Sequence, residues 1–432
     1  MEWIDVVVLV ASFVFLLMVG VPISFSIGIS TILTMLLSIQ AMPAVTTVAQ
    51  RMATGLDSFA LLAIPFFILS GQFMNRGGIA RRLIDFAKVL VGMFPGGLAF
   101  VNIMAAMLFG AISGSAVAAA AAIGGFMTPL MKDEGYDLNY SAAVNITSAT
   151  TGLIIPPSNI LIVYSLASGG VSIAALFIAG YLPGILVGLG LMLVAGYIAK
   201  KKGYPVGARL NLKEATLRFL DALPSLFMIV VVIGGIVAGY FTATEASAIA
   251  VLYTFILSVI IYREVKWKEI PKILLDSSST TAIVMLLIGT SMGMSWIMSY
   301  ENIPQNVSAA LLALTNSKII ILLIINVILL IVGTFMDMTP AVLIFTPIFL
   351  PVVIQLGINP IQFGIIMVLN LSIGLCTPPV GSVLFVGTGI AGTTITKVIK
   401  PLLPLFIAMI VALLLITYIP EIAMILPRLF GY

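Results

Sequence analysis

Two stretches of this sequence combine hydroxyl or carboxylate side chains with proline pairs inside otherwise apolar segments. The first contains Ser113-Gly114-Ser115 and, further along, Pro156-Pro157. The second contains Asp337 and, further along again, Pro378-Pro379. Side-chain oxygens and free backbone carbonyl oxygens are the ligands that hard cations prefer. The chemistry that this pattern predicts is the binding of a cation such as Na⁺.

The two stretches are related by an internal duplication. Three landmarks recur in the second half of the chain at one constant separation: Pro129 as Pro351, Gly135 as Gly357, and Pro156-Pro157 as Pro378-Pro379. An upstream pair, Asp57-Ser58 and Asp276-Ser277, is nearly in step, at a slightly smaller separation. In a membrane protein, a repeated helix-breaking motif indicates a transporter whose binding site lies between two broken helices.

Each proline pair frees backbone oxygen atoms. A diproline removes two backbone donors and disfavours helical geometry in the residue before it, so the carbonyls of Gly152 to Ile155 lose their helical partners. Thr377 adjoins the second pair. One such break is more often a structural kink, but two at matched positions favour ion binding. Ser113 and Ser115 can add hydroxyl oxygens, although the small residues that follow them also suit close helix packing alone.

Asp337 lies between two of the most apolar stretches of the chain. An ionisable residue inside the membrane is a functional-site hypothesis by default. Its carboxylate could coordinate Na⁺, carry a coupling proton or cap the helix that follows, and we favour cation binding over capping. Glu245 is instead expected to mark a helix start, and Asp57 and Asp276 are expected to be N-caps of equivalent helices.

The composition is that of a membrane protein. Hydrophobic residues make up 61% of the 432 residues and charged residues only 8%, whereas soluble domains carry about 25% charged residues. Histidine is absent and Cys376 is the only cysteine. These counts exclude a histidine metal site, a histidine proton relay, Ser-His-Asp catalysis and an intrachain disulfide. We expect neither an enzyme nor an organic cofactor, and no basic patch suits nucleic acid.

The apolar segments predict an all-α polytopic membrane protein with an inverted-topology repeat. The first repeat is expected at residues 1–199 and the second at 221–432, joined by a basic cytoplasmic linker at 200–220. The segments 113–131 and 337–355 are short, interrupted by proline and apolar. Each is predicted to be a re-entrant hairpin, because irregular backbone at membrane depth is tolerated only where protein or a water-filled cavity covers it.

The placement of charge predicts the topology. Lysine and arginine concentrate in 76–88, 200–218 and 263–272, whereas the second-repeat counterpart of 76–88 holds only Glu301. Because basic loops stay in the cytoplasm, the three basic segments are expected on that side and Glu301 on the other. Both termini are then outside.

The chain also resembles the large permease (M) subunit of TRAP transporters, the tripartite ATP-independent periplasmic systems. The stretches that carry the resemblance are 55–71 (GLDSFALLAIPFFILSG), 111–116 (AISGSA), 154–158 (IIPPS), 243–246 (ATEA) and 377–381 (TPPVG). The resemblance implies Na⁺-coupled uptake of a small organic acid, such as a C4-dicarboxylate or a sugar acid including sialic acid, across a bacterial inner membrane. It implies an elevator mechanism, in which a transport domain carrying both hairpins slides against a scaffold.

The resemblance further implies partners and ligands. The partners are a small four-helix membrane (Q) subunit, expected as a separate polypeptide, and a periplasmic substrate-binding (P) protein. One Na⁺ site would involve Ser113 and Ser115 with the carbonyls of Gly152, Ile155 and Pro157. The second, by repeat symmetry, would involve Asp337, Thr339, Gly374, Thr377 and Pro379. The two copies differ, since Ser113-Gly114-Ser115 is aligned with Met336-Asp337-Met338.

No arginine is expected in the cavity between the broken helices, so hydroxyls, amides and helix N-termini should bind the substrate. The candidate residues are Asn145, Ser158, Asn370 and Ser382. The main alternative function is a self-sufficient divalent-anion/Na⁺ symporter with a similar elevator fold, which would need no soluble binding protein. A purely scaffolding subunit would not need two matched broken helices.

Overall fold

The computed structural model describes residues 2–206, 211–315, 317–378 and 380–432. Over these ranges the chain is helical, and extended backbone pairs only in an isolated bridge between Pro95 and Val206. The α-helices are α1 (Glu2–Met18), α2 (Ile23–Ser38), α3 (Ala41–Leu56), α4 (Ala63–Arg76), α5 (Ile79–Val91), α6 (Gly97–Ser113), α7 (Ala116–Asp133), α8 (Leu138–Ala149), α9 (Asn159–Ala167), α10 (Ile173–Lys202), α11 (Leu212–Val237), α12 (Ala243–Phe255), α13 (Ile270–Tyr300), α14 (Ile303–Leu314), α15 (Lys318–Phe335), α16 (Met338–Gln355), α17 (Pro360–Gly374), α18 (Ser382–Ala391), α19 (Ile395–Tyr418) and α20 (Glu421–Leu429). Short 3-10 turns occupy Phe59–Leu62, Thr151–Leu153 and Trp267–Glu269, and a π-helical turn occupies Ile256–Ile261.

The lengths of these helices confirm a multi-pass membrane protein. Within the described residues, eight helical segments are long and apolar enough to cross a bilayer. The longest helix, α13, has 31 residues. At 1.5 Å per residue it extends about 46 Å, which exceeds the roughly 30 Å hydrocarbon core of a membrane.

The order of elements repeats along the chain. Helix α7 begins at Ala116 and α16 at Met338, which is the same separation as that of the repeated prolines and glycine. To within one position at the helix start, this separation also relates α6 to α15, α8 to α17, α9 to α18 and α10 to α19. The duplicated landmarks of the sequence therefore correspond to duplicated structural elements.

This register corrects the alignment of the two motifs. Ser115 is the N-cap residue of α7 and Asp337 is the N-cap residue of α16, so these two residues are equivalent. The expected pairing of Ser113-Gly114-Ser115 with Met336-Asp337-Met338 was wrong by one position. The two copies share no residue type at this turn, so the register there comes from the helix starts, which agree with the separation of the repeated prolines and glycine.

Neither segment predicted to be a re-entrant hairpin is itself a hairpin. Residues 113–131 fall mostly in α7 and residues 337–355 fall in α16, and each of these is one continuous helix despite Pro129 and Pro351. Membrane helices tolerate an internal proline where neighbouring groups satisfy the freed backbone. The chain turns instead before each helix, so that α6 packs on α7 and α15 on α16. Each helix pair includes the preceding helix, and its tip is the polar motif.

The helices pack as two groups. In the first, α4 lies on α12, and α13 lies on α2 and α3. In the second, α8 contacts α7, α18 and α19, and α10 contacts α19 and α20. The groups meet where α5 packs on α6 and where α13 and α14 pack on α16. The tips of both helix pairs therefore lie near the boundary between the groups.

Three acidic residues test the predicted helix starts. Glu245 is confirmed as a start signal, because it forms a capping box with Thr242 at the beginning of α12. Asp57 follows the C-terminus of α3 and Asp276 lies inside α13, so neither is the predicted N-cap of an α-helix. Asp276 instead accepts a hydrogen bond from Arg76 at 2.5 Å, which ties α13 to the end of α4.

The basic segments gather at one end of the molecule. Besides the Arg76 pair, Arg82 donates to Asp221 at 3.2 Å and stacks 3.6 Å above the ring of Tyr262. These contacts bring the segment 76–88 next to the start of α11 and the end of α12. Glu301 follows the last residue of α13, at the far end of that long helix. The charged segments are thus separated as the sequence predicts, and residues 207–210 of the basic linker lie outside the described part.

The side of the membrane can be tested by cysteine labelling. In a Cys376→Ser background, Glu301→Cys should react with an impermeant maleimide that reaches the periplasm but not the cytoplasm, because Glu301 lies opposite the basic end. Lys272→Cys, at the exposed start of α13, is the matched control and should react only after the membrane is opened. The reverse pattern would show that the orientation is wrong.

Candidate cation and substrate site

The tips of the two helix pairs open onto one shared cavity of about 190 Å³. Ser115 lines it from the first repeat, and Asp337 and Thr339 line it from the second. Part of its apolar wall, namely Ile64, Ile68 and Val284, comes from α4 and α13 on the other helix group. Two matched motifs from opposite halves of the sequence therefore face the same space.

Three helices begin at this cavity. The residues that line it include the first two of α7, α16 and α9, namely Ala116 and Val117, Met338 and Thr339, and Asn159 and Ile160. The first N–H groups of a helix have no intrahelical partner, and the helix dipole places partial positive charge there. The cavity can therefore attract an anion although no arginine occurs among the described residues that line it.

The first tip is held by local hydrogen bonds. The backbone N–H of Ala118 donates to Ser115 Oγ at 3.3 Å, so Ser115 caps α7. Ser113 is mostly buried and its Oγ donates to the carbonyl of Ser115 at 3.4 Å. Gly114 is left-handed, with φ of 63°, which permits the sharp turn between α6 and α7. Both predicted hydroxyl ligands are thus fixed at the turn.

The first proline pair leaves carbonyl oxygens without donors. Gly152, Ile155 and Pro157 are buried, and their carbonyls accept no hydrogen bond from any described residue. The neighbouring Leu153 carbonyl differs, since it accepts from Ser158 Oγ at 2.5 Å. Buried carbonyls are normally paired, so these three oxygens are suited to a cation.

Close glycine contacts bring each tip against its break. A Cβ on Gly110 of α6 would lie 2.7 Å from the Cα of Gly152, and one on Gly333 of α15 would lie 3.2 Å from the Cα of Gly374. Both contacts require the absence of a side chain. The helix that leads to each tip therefore touches the interrupted segment of the same repeat, and in the first repeat this contact lies three residues before Ser113.

The second tip has a carboxylate that is not used for capping. Asp337 has the extended backbone of an N-cap residue, but its side chain forms no capping hydrogen bond with the described residues. It is exposed on the cavity wall. The Asp337 side chain thus makes no capping bond, and the hydrogen bond recorded for its carboxyl group is with the adjacent backbone N–H of Met338.

The second break is less open than the first. The carbonyl of Gly374 accepts from the N–H of Thr377 at 2.9 Å, and Thr377 Oγ1 donates to the carbonyl of Ile373 at 2.9 Å. Pro379, predicted as a ligand, lies outside the described residues. Asp337 and Thr339 are therefore the better supported members of the second predicted set.

The four predicted substrate residues lie away from this cavity. The described residues that line the cavity do not include Asn145, Ser158, Asn370 or Ser382. Asn145 Nδ2 donates to the carbonyl of Ala120 at 3.0 Å, and Asn370 Nδ2 donates to Asn326 Oδ1 at 2.8 Å. These amides join α8 to α7 and α17 to α15. Asn145 Oδ1, Asn370 Oδ1 and Ser382 Oγ are buried and have no partner among the described residues.

Sequence reasoning missed two polar residues of the cavity. Asn159 begins α9 and Thr280 lies inside α13. Asn159 adjoins Ser158 and the proline pair, so its position beside a break was a usable signal. Thr280 had none, because only the packing of a distant helix brings it to the cavity. In the described chain no group of three or more His, Cys, Asp or Glu side chains could hold a metal, and Asp337 is the one carboxylate among the described residues that line this cavity.

The fold and this site define a multi-pass transporter permease. The sequence profile of the family described as the tripartite ATP-independent periplasmic transporter, DctM component, matches residues 10–422. The chain therefore belongs to the DctM family, the large permease proteins of TRAP transporters, which is a transporter family and not an enzyme class.

Relatives in several bacteria agree with this assignment. The uncharacterized protein YgiK of Salmonella typhimurium is 56% identical, over 99% of this chain and 98% of its own length. The C4-dicarboxylate TRAP transporter large permease protein DctM of Rhodobacter capsulatus is 38% identical, over 96% and 97%. The sialic acid TRAP transporter large permease protein SiaM of Vibrio cholerae is 36% identical, also over 96% and 97%.

A solved structure shares the fold. The crystal structure of the Alcanivorax borkumensis YdaH transporter superimposes with a TM-score of 0.64, covering 92% of this chain and 90% of that chain at 14% identity. At this identity the likeness concerns the architecture alone.

Asp337 offers a direct test of cation binding. Asp337→Asn keeps the shape but removes the charge, so the apparent affinity for Na⁺ should fall by about 1–3 kcal/mol, the range typical of linked sites. Because the Asp337 side chain makes no capping bond, Asp337→Ala should melt at the same temperature as Asp337→Asn. The measurements are Na⁺ titrations and thermal unfolding of both variants.

The capping interpretation predicts a different result. Asparagine is a good N-cap residue, whereas alanine costs about 1 kcal/mol at that position. If Asp337→Asn behaves as wild type and only Asp337→Ala is destabilised, Asp337 is a cap and not a cation ligand.

Proposed function

We propose that this chain is the large membrane subunit of a TRAP-type secondary transporter that couples Na⁺ entry to uptake of a small organic acid. The observation that carries the proposal is the convergence of Ser115 and Asp337, the equivalent tips of two repeats, on one cavity. Paired broken helices at a repeat interface are the usual place for substrate and coupling ions in secondary transporters.

The cation sites consist of the oxygen ligands described above. The first site consists of the hydroxyls of Ser113 and Ser115 with the free carbonyls of Gly152, Ile155 and Pro157. The second is centred on Asp337 and Thr339. The carboxylate and the extra hydroxyl compensate there for a Gly374 carbonyl that already accepts a hydrogen bond.

The substrate class follows from the electrostatics of the cavity. Three helix N-termini supply N–H donors, Asn159 adds an amide, and a bound cation beside Asp337 neutralises that carboxylate. Such a cavity suits one or two carboxylates on a small molecule. The relatives named for C4-dicarboxylates and sialic acid support an organic acid as the substrate. The residues of the cavity wall would determine which acid binds.

The remaining features of the proposal concern motion and partners. The two helix groups meet at the cavity, which suits an elevator in which α6–α10 and α15–α20 slide against the others. The family is described as tripartite, so we propose a periplasmic binding protein that delivers substrate and a small membrane subunit that supports the permease. The location is then the bacterial inner membrane.

Na⁺ coupling can be tested in proteoliposomes that contain the permease, its small subunit and the binding protein. An inward Na⁺ gradient should drive accumulation of the acid, because the donors in the cavity are oxygens suited to Na⁺. A pH gradient without Na⁺ should not. Equal uptake on either gradient would overturn Na⁺ coupling.

The need for a binding protein separates this proposal from the self-sufficient symporter. Without that protein, a high concentration of free substrate should give little uptake at saturating Na⁺. Adding the binding protein should restore uptake, whereas an unrelated binding protein should not. Robust uptake of free substrate would favour the symporter instead.

A further inference from the structure

A second cavity shares no lining residue with the site described above and lies at the π-helical turn that follows α12. It measures about 460 Å³ and is lined by Val259, Ile260, Arg263, Val265, Lys266 and Trp267. The apolar membrane segment that begins with α12 runs from Ala243 to Ile261. Arg263 follows shortly after the end of that segment, so the cavity lies where the hydrocarbon core gives way to water.

The backbone around this cavity has an unusual course. The backbone N–H of Tyr262 donates to the carbonyl of Leu257 at 2.7 Å, and this bond closes the π-helical turn. The backbone N–H groups of Glu264 and Val265 both donate to the carbonyl of Ser258. Arg263 adopts the left-handed conformation, with φ of 54°. Such a conformation is uncommon for a residue other than glycine, and it points to a local function. It turns the chain so that Lys266 and Trp267 return beside Ile260.

The segment after this turn is anchored to the protein. Val265 is buried in a cluster with Phe73, Val259 and Ile273. Trp267 packs edge-on against Phe255, with 5.9 Å between the ring centres, and still has 70% of its surface exposed. The cavity is thus a fixed feature of the fold with an aromatic side chain at its rim.

The charges around the cavity are not balanced by protein. Arg263 and Lys266 are exposed, and neither forms an ion pair with a described carboxylate. Glu264 is directed away, toward Gly78 and Arg82, and Glu269 accepts from the backbone N–H of Lys266 at 2.7 Å. Two cationic side chains therefore face a concave surface that lacks an anion.

An apolar strip leads into the same cavity. Leu252, Ile256 and Ile260 are each separated by one helical turn, so they lie on one helix face, and they are 61%, 37% and 53% exposed. In a bilayer this face meets acyl chains. The strip ends where Arg263 and Lys266 begin.

We propose that this cavity binds an anionic phospholipid. An acyl chain lies along the strip of Leu252, Ile256 and Ile260, and the phosphate lies between Arg263 and Lys266. Arginine binds phosphate oxygens through its planar fork and lysine binds them as a point charge. Trp267 suits the level of the head group, where tryptophan is enriched. A free phosphate would use the two cations but not the apolar strip.

The proposal can be tested with delipidated wild-type protein in neutral detergent. Phosphatidylglycerol should raise the melting temperature more than phosphatidylcholine does. Lys266→Gln and Arg263→Asn should each weaken the apparent affinity for phosphatidylglycerol by roughly fivefold, the loss expected for one basic residue at a lipid surface. Asparagine is chosen because it tolerates the left-handed backbone. Lys268→Gln removes the same charge outside the cavity and should have little effect.

Further arms identify the ligand and exclude a folding defect. Arg263→Lys should restore most of the phosphatidylglycerol effect, and inorganic phosphate should not reproduce it. The proposal is overturned if Lys268→Gln weakens binding as much as Lys266→Gln, if the two lipids stabilise the protein equally, or if phosphate alone gives the full stabilisation. A variant that melts lower without lipid is still informative, because the lipid-induced shift is measured against its own lipid-free value.

Discussion

A backbone carbonyl without a hydrogen-bond donor is unfavourable at membrane depth. The packing of the helices in this protein depends on where such carbonyls lie. A lipid-exposed helix cannot contain them. Here the proline pair at Pro156-Pro157 creates them, and the surrounding helices bury them against the tip of the α6–α7 pair. These residues are buried and therefore shielded from lipid. A bound cation would satisfy their carbonyls, and the break and the ion would then stabilise each other.

That shielding requires helices to approach more closely than side chains ordinarily permit. The glycine contacts between α6 and the interrupted segment, and between α15 and α17, occur at places that correspond to within one position in the two repeats. They hold each polar tip against its own break, while α4 and α13 close the cavity from the other helix group. The first tip also has a fixed backbone, since Ser115 caps α7 through its own side chain. Site geometry and helix packing are thus one property of this fold.

The sequence predicted the local breaks well and the long-range contacts poorly. Serine, proline and glycine act on their own backbone, so the turn at Ser113–Ser115 and the start of α12 at Glu245 could be recognised from neighbours in sequence. Asp276 was misread as a helix start because its partner, Arg76, is distant in the chain. Thr280 carried no signal, since it becomes a cavity residue only when α13 packs beside α16. Asn145 and Asn370 looked like substrate ligands, yet their amide nitrogens join helices.

The duplicated tips also differ in electrical charge. Equivalent positions hold the neutral Ser115 and the ionisable Asp337. If each repeat receives one monovalent cation and Asp337 is ionised, the loaded cavity carries a single net positive charge, where two serines would leave two and two aspartates none. A monocarboxylate would then render the loaded assembly neutral, and a dicarboxylate would leave it with one negative charge. On that condition, divergence at one residue pair after duplication would set the net charge on which the membrane potential acts.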